Sequence, residues 1–570
     1  MGPKAPKDPT KKRPFFYIMR GKNVAGSPAE GGKGVQFLYM SDGRLLSNAK
    51  IVGGIEDESM IELLKTVEGF RKLVHSIGIE AMAEDKDGHV DFVFQMYGKE
   101  DVYGGGTCLK QRVTTNGMEH ILQLDQVQWS EQDNVPGQIR IHFETAGQMA
   151  EITVKLYLND GYEAPEQEEE AKVDLQDPLY QQMLKGSLVE LGNVKRFKRA
   201  LAKARAGEKV TFGFIGGSIT QGAGAVPINT QCYAYKTFQA FCKLAEKGTE
   251  DNIQYVKAGV GGTPSELGLM RYEMDVLNYG EVTPDIMVIE YAVNDAGDET
   301  EGDCYDSLIR KIYNGPGKPA VILLFSVFAD DYNLQERMIP IGKAYDLPMV
   351  SVKNAVTPQF YLKAGQGKVI GKGQFFYDCY HPANVGHTIM ADCLNYFMEA
   401  ADAANEPEKD SDISGTPAPK SDEFENVRFF DRKTVPQDAN LSEGDFKGTD
   451  TQLQYVERDL DLGGTAEFPN NWMHAGDCGN KAFEFDIKAS ALFLVYKDSG
   501  EVNAGEALVY VDGDEVLRVN PREVGWTHCN ALICFRNREE KLCHVEVKMA
   551  PGHETKDFTI LGFGYVSKDN

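Results

Sequence analysis

Between residues 205 and 400, apolar runs of strand length alternate with longer stretches whose apolar residues recur at helical spacing. VTFGFIGG, NIQYVKAGVGG, PDIMVIEYAVND and AVILLFSVF read as strands, and LQERMIPIGKAYDLPMVSV as a helix followed by a strand. TQCYAYKTFQAFCKLAEKG, TPSELGLMRYEMDVLNYG and the stretch from Cys304 to Tyr313 supply helices between them. A helix near residues 192–206 leads into the first strand, with its lysines and arginines on the solvent side. This alternation predicts an α/β domain in which helices cover both faces of a largely parallel sheet, three layers in all. Functional loops are then expected at the carboxyl ends of the strands.

A different pattern flanks this domain. GVQFLYM, VDFVFQMYG, QIRIHFETA and EITVKLYLN alternate with period two, so residues 14–165 are expected to be mainly β, interrupted by one or two helices in ESMIELLKTVEGFRKLVHSIGIEAM. From residue 426 to 570, KAFEFDIKASALFLVYKDS, EALVYVDGDEVLRVN, LCHVEVKMAPG and KDFTILGFGYV predict the short antiparallel strands of a β-sandwich. The acidic run of residues 164–177 and the polar run of residues 401–425 separate these regions, which places the α/β domain at 178–400.

A chain of 570 residues can bury several cores. Its net charge of −26 argues against a nucleic-acid backbone or an anionic membrane surface as principal partner. The leader MGPKAPKDPTKKRPFFYIMRGK lacks the apolar run of a secretory signal, and no later window is apolar enough to span a membrane. The ten cysteines are dispersed and form no CxxC pair, so reduced thiols and a cytoplasmic location are expected. Cys529, Cys534 and Cys543 with His528 and His544 suggest a metal cluster on paper, but their place in alternating apolar segments favours packing. No metal or organic cofactor is expected, and no oligomeric state follows from the sequence.

The candidate chemistry begins where the first strand runs into GGSITQG. Gly216 and Gly217 permit a sharp exit that presents the Ser218 hydroxyl at the strand end. A plain glycine turn or a phosphate loop accounts for the same letters, although neither GxGxxG nor GxxxxGK[ST] is present. Three later loops supply partners. Gly262 in AGVGGTPSE and Asn294 in EYAVNDAGD offer a backbone N–H and a side-chain amide, both suited to the oxygen of a tetrahedral acyl intermediate. FFYDCYHPANVGH offers His381 to take the serine proton and Asp378 to orient it. Taken singly, Asn294 reads as a cap, Asp378 as a turn acid, Gly262 as a turn, and His381 and His387 as structural hydrogen-bonding residues. One set of roles covers all five active-site positions together.

These blocks resemble the SGNH, or GDSL-like, hydrolases. The resemblance covers about residues 205–400 and implies a flavodoxin-like fold and serine esterase activity. It implies a triad of Ser218, His381 and Asp378, with the Ser218 N–H, the Gly262 N–H and Asn294 as oxyanion hole. The first block departs from the family's GDS by having Gly217 in place of aspartate, which removes a local acceptor but leaves the nucleophile. GEKVTFGFIGGSITQG, AGVGGTPSE and VIEYAVNDAG are most similar to bacterial carbohydrate esterase family 17, which implies removal of O-acetyl groups from manno-oligosaccharides. It also implies a carbohydrate-binding-like C-terminal module that helps close the site. Acetylated xylan, another glycan or a small ester, and an inactive glycan-binding assembly protein, are the alternatives. Trp472 and Trp526 are candidate sugar platforms, as is Trp129 in the N-terminal region; a half-buried or core role accounts for Trp129 and Trp472 as well, and less well for Trp526, which sits in the turn GWTHCN. The N-terminal region lies outside the resemblance and reads as another glycan module or an assembly surface.

Overall fold

The computed structural model describes residues 13–567 apart from 40–42, 168–169, 247–250, 364, 457–464 and 477. The leader through residue 12, and Glu168 and Glu169 of the acidic run, therefore lie outside the described residues.

The central sheet has six strands: β1 (Leu188–Glu190), β2 (Val210–Gly216), β3 (Ile253–Gly259), β4 (Ile286–Glu290), β5 (Ala320–Phe325) and β6 (Met349–Ser351). Their order is β1-β6-β5-β4-β2-β3, with β2 to β6 parallel and β1 antiparallel to β6. The sheet is thus largely parallel, and its antiparallel edge strand β1 is three residues long, too few to show a period in the sequence. Because β3 and β4 lie on opposite sides of β2, their connections leave in opposite directions and open a crevice at the carboxyl end of β2.

Successive residues of these strands point to opposite faces. Phe212, Phe214, Val288, Ile322 and Leu324 join one core with helices Lys195–Arg205, Tyr233–Leu244 and Asn384–Ala403. Ile215, Met287, Ile289, Val321 and Leu323 join the other with helices Ser265–Asp275, Asp303–Asn314 and Gln335–Ala344. Each Leu or Ile buried this way contributes about 1.5–3 kcal/mol. The Lys195–Arg205 helix corrects one expectation. Arg196 does not face solvent: its guanidinium lies 3.4 Å from the Tyr313 ring centroid, and it donates to Asp410 at 2.8 Å and to the Tyr313 carbonyl at 2.6 Å.

The second core does not stop at the α/β layer. Phe424, Phe468, Phe493, Val495, Cys529, Ala531 and Leu561 of the C-terminal region belong to it, so that region is seated on the helices by continuous apolar packing. Seven of its strands form one ladder where the two sheets of a sandwich were expected, and Tyr455–Val456 pairs separately with Thr465–Ala466. Phe483–Asp498 and His528–Met549 are long enough to serve both halves, and register shifts near Ser490 bend them. Their outer partners are Ala507–Val511 at one end and Phe558–Val566 at the other.

The N-terminal region builds a four-stranded and a five-stranded sheet around one core that includes Phe16, Phe70, Phe92, Phe94 and Val154. Helices Glu58–Leu64 and Val67–Leu73 fall in the expected segment, but HSIGIEAM continues as strand Val74–Met82, with Ile77, Ile79 and Ala81 buried at period two. A further helix, Arg44–Ile51, has no counterpart in the sequence reading. Among the described residues, no helix is long and apolar enough to cross a membrane.

Candidate active site

β2 is buried along its whole length, and its last residue and the next one are glycines that the packing demands. A Cβ on Gly216 would lie 2.2 Å from Thr220 Oγ1, and one on Gly217 would lie 2.2 Å from Asn294 Oδ1. Ser218 then opens a single helical turn, Ser218–Gln221, closed by Gly222 at φ 108°. Its hydroxyl sits 3.0 Å from His381 Nε2, and His381 Nδ1 lies 2.9 and 3.0 Å from the two oxygens of Asp378. A carboxylate at Nδ1 accepts a hydrogen bond from the N–H there, which leaves the Nε2 lone pair for the serine hydroxyl. Asp378 also accepts from the backbone N–H groups of Tyr380 and His381, both at 2.8 Å. Burial works to raise its carboxyl, but His381, Arg44 and these N–H groups outweigh burial and hold it at about 2. The aspartate is therefore a fixed anion behind the imidazole.

Gly262 takes φ +73°, where an L side chain is strained. A Cβ there would also meet His528 Nε2 at 2.8 Å and Trp526 Cη2 at 3.2 Å. The neighbouring Gly261 faces Ser218, with its Cβ position 3.8 Å from that of the serine, and its carbonyl accepts from Gln454 Nε2 at 2.7 Å. Gln454 in turn accepts from the Cys529 N–H at 2.8 Å, so the C-terminal ladder is pinned to the glycine loop. Asn294 packs on Gly217 and makes no side-chain capping bond to the turn Asp295–Gly297. Its amide is thus not committed as a helix cap.

Several supporting residues escaped the sequence reading. Glu290, at the end of β4, is fully buried and accepts from Ser326 Oγ, from Thr220 Oγ1 at 3.1 Å and from the Gly217 N–H. Burial pushes its carboxyl up to about 6, against these hydrogen bonds. The acceptor missing from the GGS block is thus supplied from a neighbouring strand. Arg271, also buried, donates to the Gly216 carbonyl at 2.8 Å and the Ala258 carbonyl at 2.9 Å, tying together the ends of β2 and β3. An acid closing the apolar run IMVIE was the one visible signal for Glu290; nothing local marks Arg271. His387 is structural: burial lowers it to about 3, and its Nε2 donates to the Ala223 carbonyl at 3.0 Å.

The tryptophans separate. Trp472 is 0 % exposed, ringed by Phe430, Phe483 and Phe563, with its N–H donated to Glu443 at 2.9 Å. No face of it is open to a sugar, which corrects the expectation. Trp526 is 46 % exposed, 4.7 Å from the His528 ring, beside Gly262. Burial holds the His528 imidazole below its ordinary value, against a hydrogen bond to the Gly262 backbone. Trp129 is half-buried, with the Arg71 guanidinium 4.5 Å from its ring centroid. Cys529 and Cys543 oppose Lys497 and Ile487, far apart along one partner strand, and burial raises both thiols. Glu266, Asp298 and Cys304 do converge within 4.8 Å. The Asp298 oxygens, however, accept from the Thr300 and Gly302 N–H groups at 2.8 and 2.7 Å, and burial with the neighbouring acids pushes Glu266 well above the carboxylate range.

In this mixed α/β chain a serine, a histidine and an aspartate thus stand in hydrogen-bonded series at the carboxyl end of the central sheet. Searches of protein-family profiles and of curated proteins found no match. Among solved structures, the chain is similar to a two-domain esterase (CEX) active on acetylated mannans: 27 % identity, TM-score 0.57, covering 68 % of this chain and 99 % of that one. The same esterase co-crystallized with mannopentaose matches at 27 % identity and TM-score 0.56, over 68 % of this chain and 98 % of that one. The likeness to SGNH-type carbohydrate esterases thus holds in three dimensions and supports a hydrolase.

Proposed function

We propose that this protein is a carbohydrate O-acetyl esterase acting on manno-oligosaccharides through a serine acyl-enzyme. The observation that carries the reading is the unbroken series Ser218 Oγ, His381, Asp378, with spacings of 3.0 and 2.9 Å, beside Gly262 and Asn294. His381 takes the proton as Ser218 attacks the acetyl carbonyl, and Asp378 balances the imidazolium that results. The Ser218 and Gly262 N–H groups and the Asn294 amide receive the oxyanion; each such donor contributes on the order of 10²–10³ in kcat. His381 then protonates the departing sugar oxygen, and water, deprotonated by the same histidine, releases acetate and frees the serine.

The three-layer, flavodoxin-like reading of residues 178–400 belongs to this proposal, as does a carbohydrate-binding role for the C-terminal region. The choice of sugar is supported by the likeness to an esterase active on acetylated mannans and by Trp526, whose half-exposed ring stands beside Gly262 with a face suited to a pyranose. Acetate release from acetylated manno- and xylo-oligosaccharides, compared for the intact protein and Ser218→Ala, tests both parts. Release by Ser218→Ala at the intact rate defeats the nucleophile. Equal turnover of the xylan series defeats the sugar assignment, and no turnover of any ester leaves a glycan-binding protein.

A further inference from the structure

The outer side of Asp378 is closed by the N-terminal β region. A small apolar space of about 40 Å³ lies between Ile18, Met19, Leu45 and Ile139 on one side and Tyr377 and Asp378 on the other. Asp378 is 4 % exposed as a result of packing from both regions. Into this contact the first residue of helix Arg44–Ile51 brings a charge: Arg44 Nε is 3.5 Å from Asp378 Oδ2. The chain just before the aspartate is gripped as well. Lys22 Nζ, buried, donates to the Gly373 carbonyl at 2.6 Å, and a side chain on Gly373 would meet the Ile51 carbonyl at 3.6 Å.

The Tyr380 and His381 N–H groups hold Oδ1, whereas Oδ2 has the His381 ring at 3.0 Å; a guanidinium 3.5 Å from that second oxygen adds a partner that keeps it aimed at Nδ1. It also favours the ionised carboxylate, so the shared proton stays on the histidine. Arg44 belongs to the N-terminal β region, outside the α/β segment that carries Ser218, Asp378 and His381. That region therefore adds a group to a centre that is already complete in its hydrogen-bonded series.

We propose that Arg44 is a positioning residue for the Asp378–His381 pair, which makes the N-terminal β region a working part of the catalytic unit. The proposal rests on the serine-esterase reading above. The experiment uses the full chain, with steady-state hydrolysis of 4-nitrophenyl acetate and of acetylated manno-oligosaccharides, for the wild type, Arg44→Met, Arg44→Lys and Ser218→Ala. Active-site titration by the acyl-enzyme burst scales each rate to the folded, acylating fraction, so a partly unfolded variant is still read. Arg44→Met is expected to lower kcat roughly 10-fold on both substrates with KM within about 2-fold, and Arg44→Lys to recover most of it. Wild-type kcat per titrated site in Arg44→Met overturns the proposal, as does a loss that lysine does not restore. If Ser218→Ala retains hydrolysis, the esterase reading itself fails. If Ser218→Ala is inactive and Arg44→Met is not impaired, only the role of Arg44 fails.

Discussion

Gly217→Ala adds a single methyl group at the place where the nucleophile turn meets the oxyanion hole. The new carbon would lie 2.2 Å from Asn294 Oδ1, 2.7 Å from its Cγ and 2.9 Å from its Nδ2. Ordinary carbon contacts begin near 3.5 Å, so the amide or the turn must move by about 1 Å. Overpacking of this kind costs about 1–3 kcal/mol of stability. Displacing an oxyanion donor by that distance should lower kcat by roughly 10²–10³, or about 2.7–4 kcal/mol in the barrier. The assay is kcat for acetate release, with urea unfolding, for Gly217→Ala, Asn294→Ala and the double variant. Because the alanine methyl fills space that Asn294→Ala vacates, the double variant should be no slower than Asn294→Ala alone, and the stability cost of Gly217→Ala should shrink in that background. Multiplicative kcat losses with additive stability losses would refute the packing of Asn294 on Gly217.

Three further outcomes are expected. Trp526→Ala should raise KM for acetylated manno-oligosaccharides about 10-fold while leaving 4-nitrophenyl acetate unaffected, since a stacked sugar loses its platform and a small ester has none; equal effects on both would remove Trp526 from the glycan path. Glu290, raised by burial from 4.5 to about 6, holds its proton more tightly folded than unfolded, so its stabilisation is complete below pH 4.5 and is lost as pH rises through 6. Glu290→Gln should flatten the unfolding free energy over that window by about 2 kcal/mol, read from urea titrations at pH 4 and pH 7. Lys497 and Asp450 form a buried pair at 2.8 Å in the C-terminal ladder. Lys497→Met should cost about 3–5 kcal/mol, because Asp450 stays buried without its cation; an unchanged melting midpoint would show that Thr559 and the backbone suffice.

Much of the architecture could be read from the chain because strands and helices with one buried face carry their period in the letters. VTFGFIG, IMVIE and AVILLF are buried strands by pattern and in the fold. The pattern was less informative where burial came from another region. Arg196 looked solvated on a helix of lysines and arginines, yet Tyr313 and Asp410 enclose it. HSIGIEAM, read with the helix before it, is a strand because its register against Met149–Leu158 buries alternate residues. Trp526 stands in the turn GWTHCN, the more exposed setting by sequence, while nothing local marks Trp472 as core; one fills a core and the other stands half-exposed beside Gly262.

The amino-acid sequence by itself determined the candidate chemistry at Ser218, Gly262, Asn294, Asp378 and His381, because residues that must sit at strand ends recur in order as loops after buried strands. The tertiary structure alone decided what surrounds them. Glu290 under the GGS turn, Arg271 tying two strand ends, Gln454, Trp526 and His528 at the glycine loop and Arg44 against Asp378 come from positions scattered across the whole chain. Their partnerships are made by sheet order and by apolar cores shared between regions, and neither leaves a local period or spacing to read.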